Sequence, residues 1–184
     1  MGLLLSGVMI NSFCGAFVLF MVSIAQSSDI SSILFWFMGY LGACSLAQSI
    51  AYSLVLLPGY ALLLLFAHRM NLLQLGDAQA ETLGVPVKSV TLFLLVIVSV
   101  MVSALVAAVG PLGFIGLVVP QSLRLLFGQD NRLLGVACVL YGASFLVGCD
   151  LLARALPIDG EMPSGVITAL IGAPIFVILL RKMQ

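Results

Sequence analysis

Charge is what this sequence has least of. Only 8% of its 184 residues are Asp, Glu, Lys or Arg, against about 25% in an average soluble domain. A chain that solvates so little of itself has lipid as its surroundings. Its seven basic and seven acidic residues cancel, which removes the electrostatic footprint that a nucleic-acid surface needs. The single histidine, His68, adjoins Arg69 and has no ligand or nucleophile near it in sequence. The four cysteines, Cys14, Cys44, Cys138 and Cys149, show no CxxC or Cys/His spacing and read as small buried hydrophobes. No zincin, serine-protease or paired in-membrane carboxylate pattern appears, so neither an enzyme nor a cofactor is expected. No polar interval is long enough for a soluble catalytic domain, so any such chemistry has to come from a partner.

Hydrocarbon is what is there instead. The chain is 62% hydrophobic, with a mean hydropathy of +1.27. A spanning helix needs about 20 apolar residues, and Leu3 to Ile24, Leu46 to Ala67, Val90 to Val109, Leu133 to Leu156 and Pro163 to Leu180 all qualify. The first run lacks a basic leading region and is too long for a leader core, so it reads as a span. A sixth segment, "GFIGLVVPQSLRLL" from Gly113 to Leu126, covers roughly 21 Å as a helix and by length alone would be re-entrant.

Charge decides between these readings. If the sixth segment crosses and the N-terminus is cytoplasmic, Arg69, Lys88, Arg124, Arg132, Arg181 and Lys182 all lie inside and Arg154 alone lies outside. If it does not cross, the bias disappears. The expectation is an all-α, multi-pass membrane protein with six crossings, one transmembrane domain over 1–184, and both ends cytoplasmic. Asp29, Asp159 and Glu161 then fall outside. Trp36 and Tyr40, in "ILFWFMGYLGA", suit a brief interfacial helix broken by Gly39 and Gly42.

Small residues recur within the spans, in "SGVMINSFCGA", "VSALVAAVG", "YGASFLVG" and "TALIGAP". They let helix backbones approach closely in lipid, but channels, transporters and membrane enzymes all share that signal. Gly110, Gly113 and Gly116 in "GPLGFIG" are spaced unlike a dinucleotide loop and follow a membrane helix, which points to a tight turn after Pro111. Asp150 and Arg154 stand four apart on one helix face near the outer end of the fifth span. They read either as a solvated ion pair or as a functional one.

The polar stretch "MNLLQLGDAQAETLGVPV", Met70 to Val87, stands out between two apolar runs. Asp77 is a good N-cap for a helix beginning at Ala78, Gly84 a left-handed C′ residue, and Pro86 a stop. Leu72, Leu73 and Leu75 are expected to pack into the bundle floor. A short helix over Ala78 to Leu83, defined at both ends, is more than a passive linker needs. It suits a docking knob that offers Asp77, Gln79 and Glu81 to a soluble partner.

That stretch resembles the cytoplasmic coupling segment, here 70–86, of FecCD-type ABC importer permeases, which move iron-siderophores, haem and vitamin B12. "GPLGFIGLVVP", "RLLFGQDNR", "GASFLVGCDLLAR" and "EMPSGVITALIGAPIFVILLRK" continue the resemblance in family order. Gln121 departs from it, standing where the family pattern "GLVxPH" has a histidine. The resemblance implies a type II importer bundle in a bacterial cytoplasmic membrane, working as a permease dimer with ATPase subunits and an external substrate-binding protein. It assigns Leu75, Gly76, Asp77, Gln79, Ala80, Glu81, Leu83 and Gly84 to ATPase coupling and Arg154 to docking of the binding protein. It covers only the six-span C-terminal portion of such permeases, so a truncated, non-functional permease stands as one alternative. A secondary transporter or channel without an ATPase is another, but it calls for a mid-membrane acid pair or for broken helices in an internal repeat, and the sequence has neither.

Overall fold

The computed structural model describes residues 2–24, 27–42, 45–156 and 162–183. The expectations placed on Cys44, Asp159 and Glu161, and on the side chains of Asp29 and Lys182, fall outside what it describes. Among the described residues every regular element is a helix: α1 Gly2–Ile24, α2 Ser27–Phe37, α3 Leu46–Leu73, α4 Asp77–Thr82, α5 Val87–Val109, α6 Ile115–Phe127, α7 Asn131–Ala155 and α8 Ser164–Met183. Four of them, α1, α3, α5 and α7, are long and apolar enough to cross a membrane, while α6 and the apolar part of α8, Ser164–Leu179, are shorter.

The chain divides into two compact units, Met1–Phe37 and Met38–Gln184. The first holds α1 and α2. Large apolar side chains such as Phe13 and Leu19 are exposed on α1, and Cys14 is exposed as well, against the expectation that every cysteine is buried. Helix α2 ends at Phe37, whose ring meets Trp36 edge-on at 6.0 Å. A helix before Gly39 is therefore present, and it begins earlier than "ILFWF" alone suggests.

In the second unit α7 is the central helix, packed against α3, α6 and α8; α3 also packs on α5, and α6 on α8. Helix α3 opens with a capping box: Ser45 Oγ accepts from the Gln48 N–H at 3.3 Å, and Gln48 Oε1 accepts from the Ser45 N–H at 3.0 Å. Two donors left over at the helix start are thereby satisfied reciprocally. The apolar run ends at Ala67, but the helix continues through His68 and Arg69 to Leu73. Polar side chains do not interrupt a backbone ladder, and Arg69 lies over the Phe66 ring at 4.9 Å.

Helix α6 buries Val119 and Leu123 against Leu134 of α7. On α8, Gly172 gives room to Phe114, whose Cβ would stand 2.6 Å from a Cβ added there. Phe114 precedes α6 in a left-handed conformation, φ 64°. The α7 and α8 interface is closed by Cys149, Ala153 and Ile167, with Ser164 and Thr168 fully buried beside them. Close helix approach in lipid needs residues of this size.

Candidate functional site

Two polar regions stand at opposite ends of α7. At its N-terminal end lies the 70–86 stretch. Ala80 is fully buried and packs with Val85, Val87 and Val90, flanked by Phe66, Leu72 and Leu73. That contact pins α4 to the ends of α3 and α5. Leu75, Gly76, Asp77, Gln79, Glu81, Leu83 and Gly84 are all exposed. Of the residues assigned to ATPase coupling, Ala80 is therefore the anchor beneath the helix and the others form its outward surface. Leu75 is 53% exposed, so it is not part of the bundle floor that Leu72 and Leu73 do join.

The start of α4 differs from expectation. Asp77 is the first residue of the helix and Gly76 is its N-cap, at φ 100° and with no side-chain capping bond. Glycine reaches that backbone conformation at little cost, which moves the boundary one residue toward the N-terminus. The Asp77 carboxylate still favours the positive end of the helix, through the dipole instead of a cap. The end of α4 follows the sequence. Gly84, at φ 81°, donates its N–H to Glu81 O and Val85 donates to Ala80 O, each at 3.0 Å. These two bonds form a Schellman motif, and its usual apolar contact is present between Val85 and Ala80.

A cross-link that the sequence does not signal lies next to this helix. Asn71, in the last turn of α3, donates Nδ2–H to Asp130 Oδ1 at 2.7 Å and accepts the Asn131 N–H on Oδ1 at 2.8 Å. Asp130 Oδ1 also accepts the Arg132 N–H at 3.0 Å, capping α7. Gln74 Nε2–H donates to Gln129 O at 3.4 Å. The Asn71 amide, then the Arg132 N–H, hold the Asp130 carboxyl below its ordinary pKa. Asp130 as a cap is readable from "GQDNR", whereas its partner 59 residues away carries no sequence signal.

Arg154 lies about 35 Å further along α7 at 1.5 Å per residue. The expected pair is formed: Arg154 Nε–H donates to Asp150 Oδ2 at 2.9 Å. The Arg154 side chain is 60% exposed and that of Asp150 24%. A further donor reaches Asp150 from α8, the Ser164 hydroxyl on Oδ1 at 2.6 Å. At the same end Met38 to Tyr40 form a strap. Tyr40 N–H donates to Val109 O, the last carbonyl of α5, at 2.9 Å, and Gly39 O accepts the Gly165 N–H of α8 at 3.0 Å.

An apolar cavity of about 380 Å³, lined by Tyr60, Leu64, Pro120, Arg124 and Cys138 among others, lies between α3, α5, α6 and α7. Among the described residues no cluster of three or more His, Cys, Asp or Glu side chains is arranged to hold a metal ion.

Four helices long and apolar enough to cross a membrane, with charged groups gathered around a self-terminated loop helix at one end and the Asp150–Arg154 pair at the other, define a multi-pass helical membrane protein. Within that class the chain belongs to the FecCD transport family, whose profile matches residues 1–182. It is 41% identical over 182 residues to the hemin transport system permease protein HmuU of Yersinia pestis, covering 99% of this chain and 54% of that one. It is 42% identical over 182 residues to the cobalamin import system permease protein BtuC of Halobacterium salinarum, covering 99% and 48%. A solved metal-chelate type ABC transporter in an inward-facing conformation is similar in fold, with a TM-score of 0.90 and 31% identity over 97% of this chain and 58% of that one. The chain thus spans about half the length of the curated relatives it matches.

Proposed function

We propose that this chain forms the six-span part of a permease subunit in an ABC importer for a metal chelate: haem, an iron-siderophore or a corrinoid. It carries no catalytic step of its own. A cytoplasmic ATPase hydrolyses ATP, an external binding protein delivers the chelate, and two permease subunits form the path through a bacterial cytoplasmic membrane. Both termini and α4 face the cytoplasm in this reading, following the distribution of Arg and Lys.

The observation that carries the proposal is the shape of α4. Its buried Ala80 ties it to α3 and α5, while Asp77, Gln79 and Glu81 are exposed beside the apolar Leu75 and Leu83. A knob joined so closely to two spans passes any displacement imposed on its outer face to both of them. Arg154, exposed at the far end of α7, is the group offered to an acidic residue of the binding protein.

Asp77→Lys combined with Glu81→Lys tests the α4 role in the assembled importer. We expect ATPase association to weaken about tenfold or more, as for charged pairs at a docking surface, with membrane insertion unchanged. Undiminished co-purification of the ATPase would overturn the assignment.

A further inference from the structure

We infer that Asp150 is a positioning residue that aims the Arg154 guanidinium at the binding protein's carboxylate, and that Ser164 fixes Asp150 for this task. The inference rests on the docking role proposed for Arg154.

A guanidinium can present two edges to a carboxylate, one through Nε and an Nη and the other through both Nη groups. Asp150 Oδ2 occupies Nε, and that is the one hydrogen bond of Arg154 among the described residues. Among the described residues nothing binds the edge formed by the two Nη groups, which is open to a partner on a side chain that is 60% exposed. The direction of that edge is set by the direction of the Asp150 carboxylate.

The carboxylate is itself fixed at both oxygens. Its Oδ1 accepts the Ser164 hydroxyl at 2.6 Å, and Ser164 is 1% exposed at the first position of α8. The carboxylate is thus held between two helices while its arginine reaches outward. Stability is a poor explanation for the pair, because an exposed i, i+4 pair contributes little. Orientation accounts for it better: an arginine ordered before contact loses less rotamer freedom on binding. Because Ser164 belongs to α8, the aim of Arg154 also depends on how α7 and α8 sit together.

The test measures the affinity of the importer's own substrate-binding protein for the assembled importer in detergent, with insertion and thermal midpoint checked for each variant. Arg154→Ala should weaken binding strongly, Asp150→Ala about tenfold and Ser164→Ala by less, about threefold, as expected when a side chain has to be ordered on binding. Asp150→Asn keeps an acceptor for Nε and should restore most of the loss. The double variant Asp150→Ala with Arg154→Ala should bind no more weakly than Arg154→Ala alone, since Asp150 acts only through the arginine. If Arg154→Ala weakens binding while Asp150→Ala does not, or if the two losses add, the positioning role is wrong and the docking role stands. If Arg154→Ala binds as wild type, the docking role falls, and the inference with it.

Discussion

The start of α7 and the facing ends of α5 and α8, at opposite ends of the bundle, are finished with different chemistry. Beside α4, side chains do it: Asn71 and Asp130 cover the first N–H groups of α7. At the opposite end, where α3 starts on its own capping box, α5 and α8 are served by backbone: the Met38 to Tyr40 strap donates to the last carbonyl of α5 and accepts the Gly165 N–H of α8. Every helix terminus leaves such groups over. A side chain can reach across a gap to satisfy them, whereas a strap has to lie almost in contact with the helix. The first solution is therefore open to titration and replacement, and the second depends on residues that take up no space.

The largest effect is expected where that space is filled. A Cβ on Gly165 would run into the Met38 carbonyl, and one on Gly39 would stand 2.8 Å from Pro111 O, a less severe clash. Gly165→Val should cost about 3 kcal/mol, the upper part of the range for overpacking, read as a loss of unfolding free energy in detergent. A cost under about 0.5 kcal/mol, the level of an ordinary surface substitution, would remove the contrast between the ends.

A smaller effect is expected at Gly84, where nothing stands within 4 Å of an added Cβ but φ is 81°. Gly84→Ala meets only the left-handed backbone penalty, about 1 kcal/mol. It should raise hydrogen exchange at the Gly84 and Val85 positions, whose amides close α4, and leave α8 unchanged. Equal exchange in variant and wild type would show that the Schellman bonds do not hold the helix end.

The smallest effect is a pH dependence. Asp130 has a lowered pKa in the folded chain, so its stabilising contribution is fully present above the unfolded value of about 3.9. That contribution is lost as pH falls through the depressed folded value. Amide exchange at Asn131 and Arg132 should rise in that acidic window. Asn71→Leu removes the largest cause of the shift and should move the rise toward higher pH; an unchanged profile would separate Asp130 from its cross-link.

Features set by neighbours in sequence were legible. The apolar runs locate α1, α3, α5 and α7, although α3 continues past Ala67 to Leu73 and the apolar part of α8 is shorter than its run suggests, and Gly84 and Pro86 mark the end of α4. The capping box at Ser45 and Gln48 was equally local and could have been found by its spacing. The start of α4 lies one residue before the position the sequence suggests, because Asp77 is a favourable cap by type while Gly76 takes the position by conformation. What could not be read was pairing over distance. Asn71 meets Asp130 only once α3 and α7 lie side by side, and Ser164 reaches Asp150 only once α8 returns along α7. The pair of Asp150 and Arg154 was visible through helical spacing, but the serine that fixes it was not.

The length of α3 carries a consequence of its own. At 28 residues it measures about 42 Å, against a hydrocarbon thickness of about 30 Å. Tilt absorbs part of the excess and the remainder extends into the headgroup region. Asn71 and the C-cap Gln74 stand at the polar end of the helix, where such an extension would lie. A thicker membrane draws this turn toward hydrocarbon, where water no longer competes for its amides, and a thinner one wets it. The strength of the bond between α3 and α7 then depends on how much water reaches it, next to the helix that the ATPase is proposed to push.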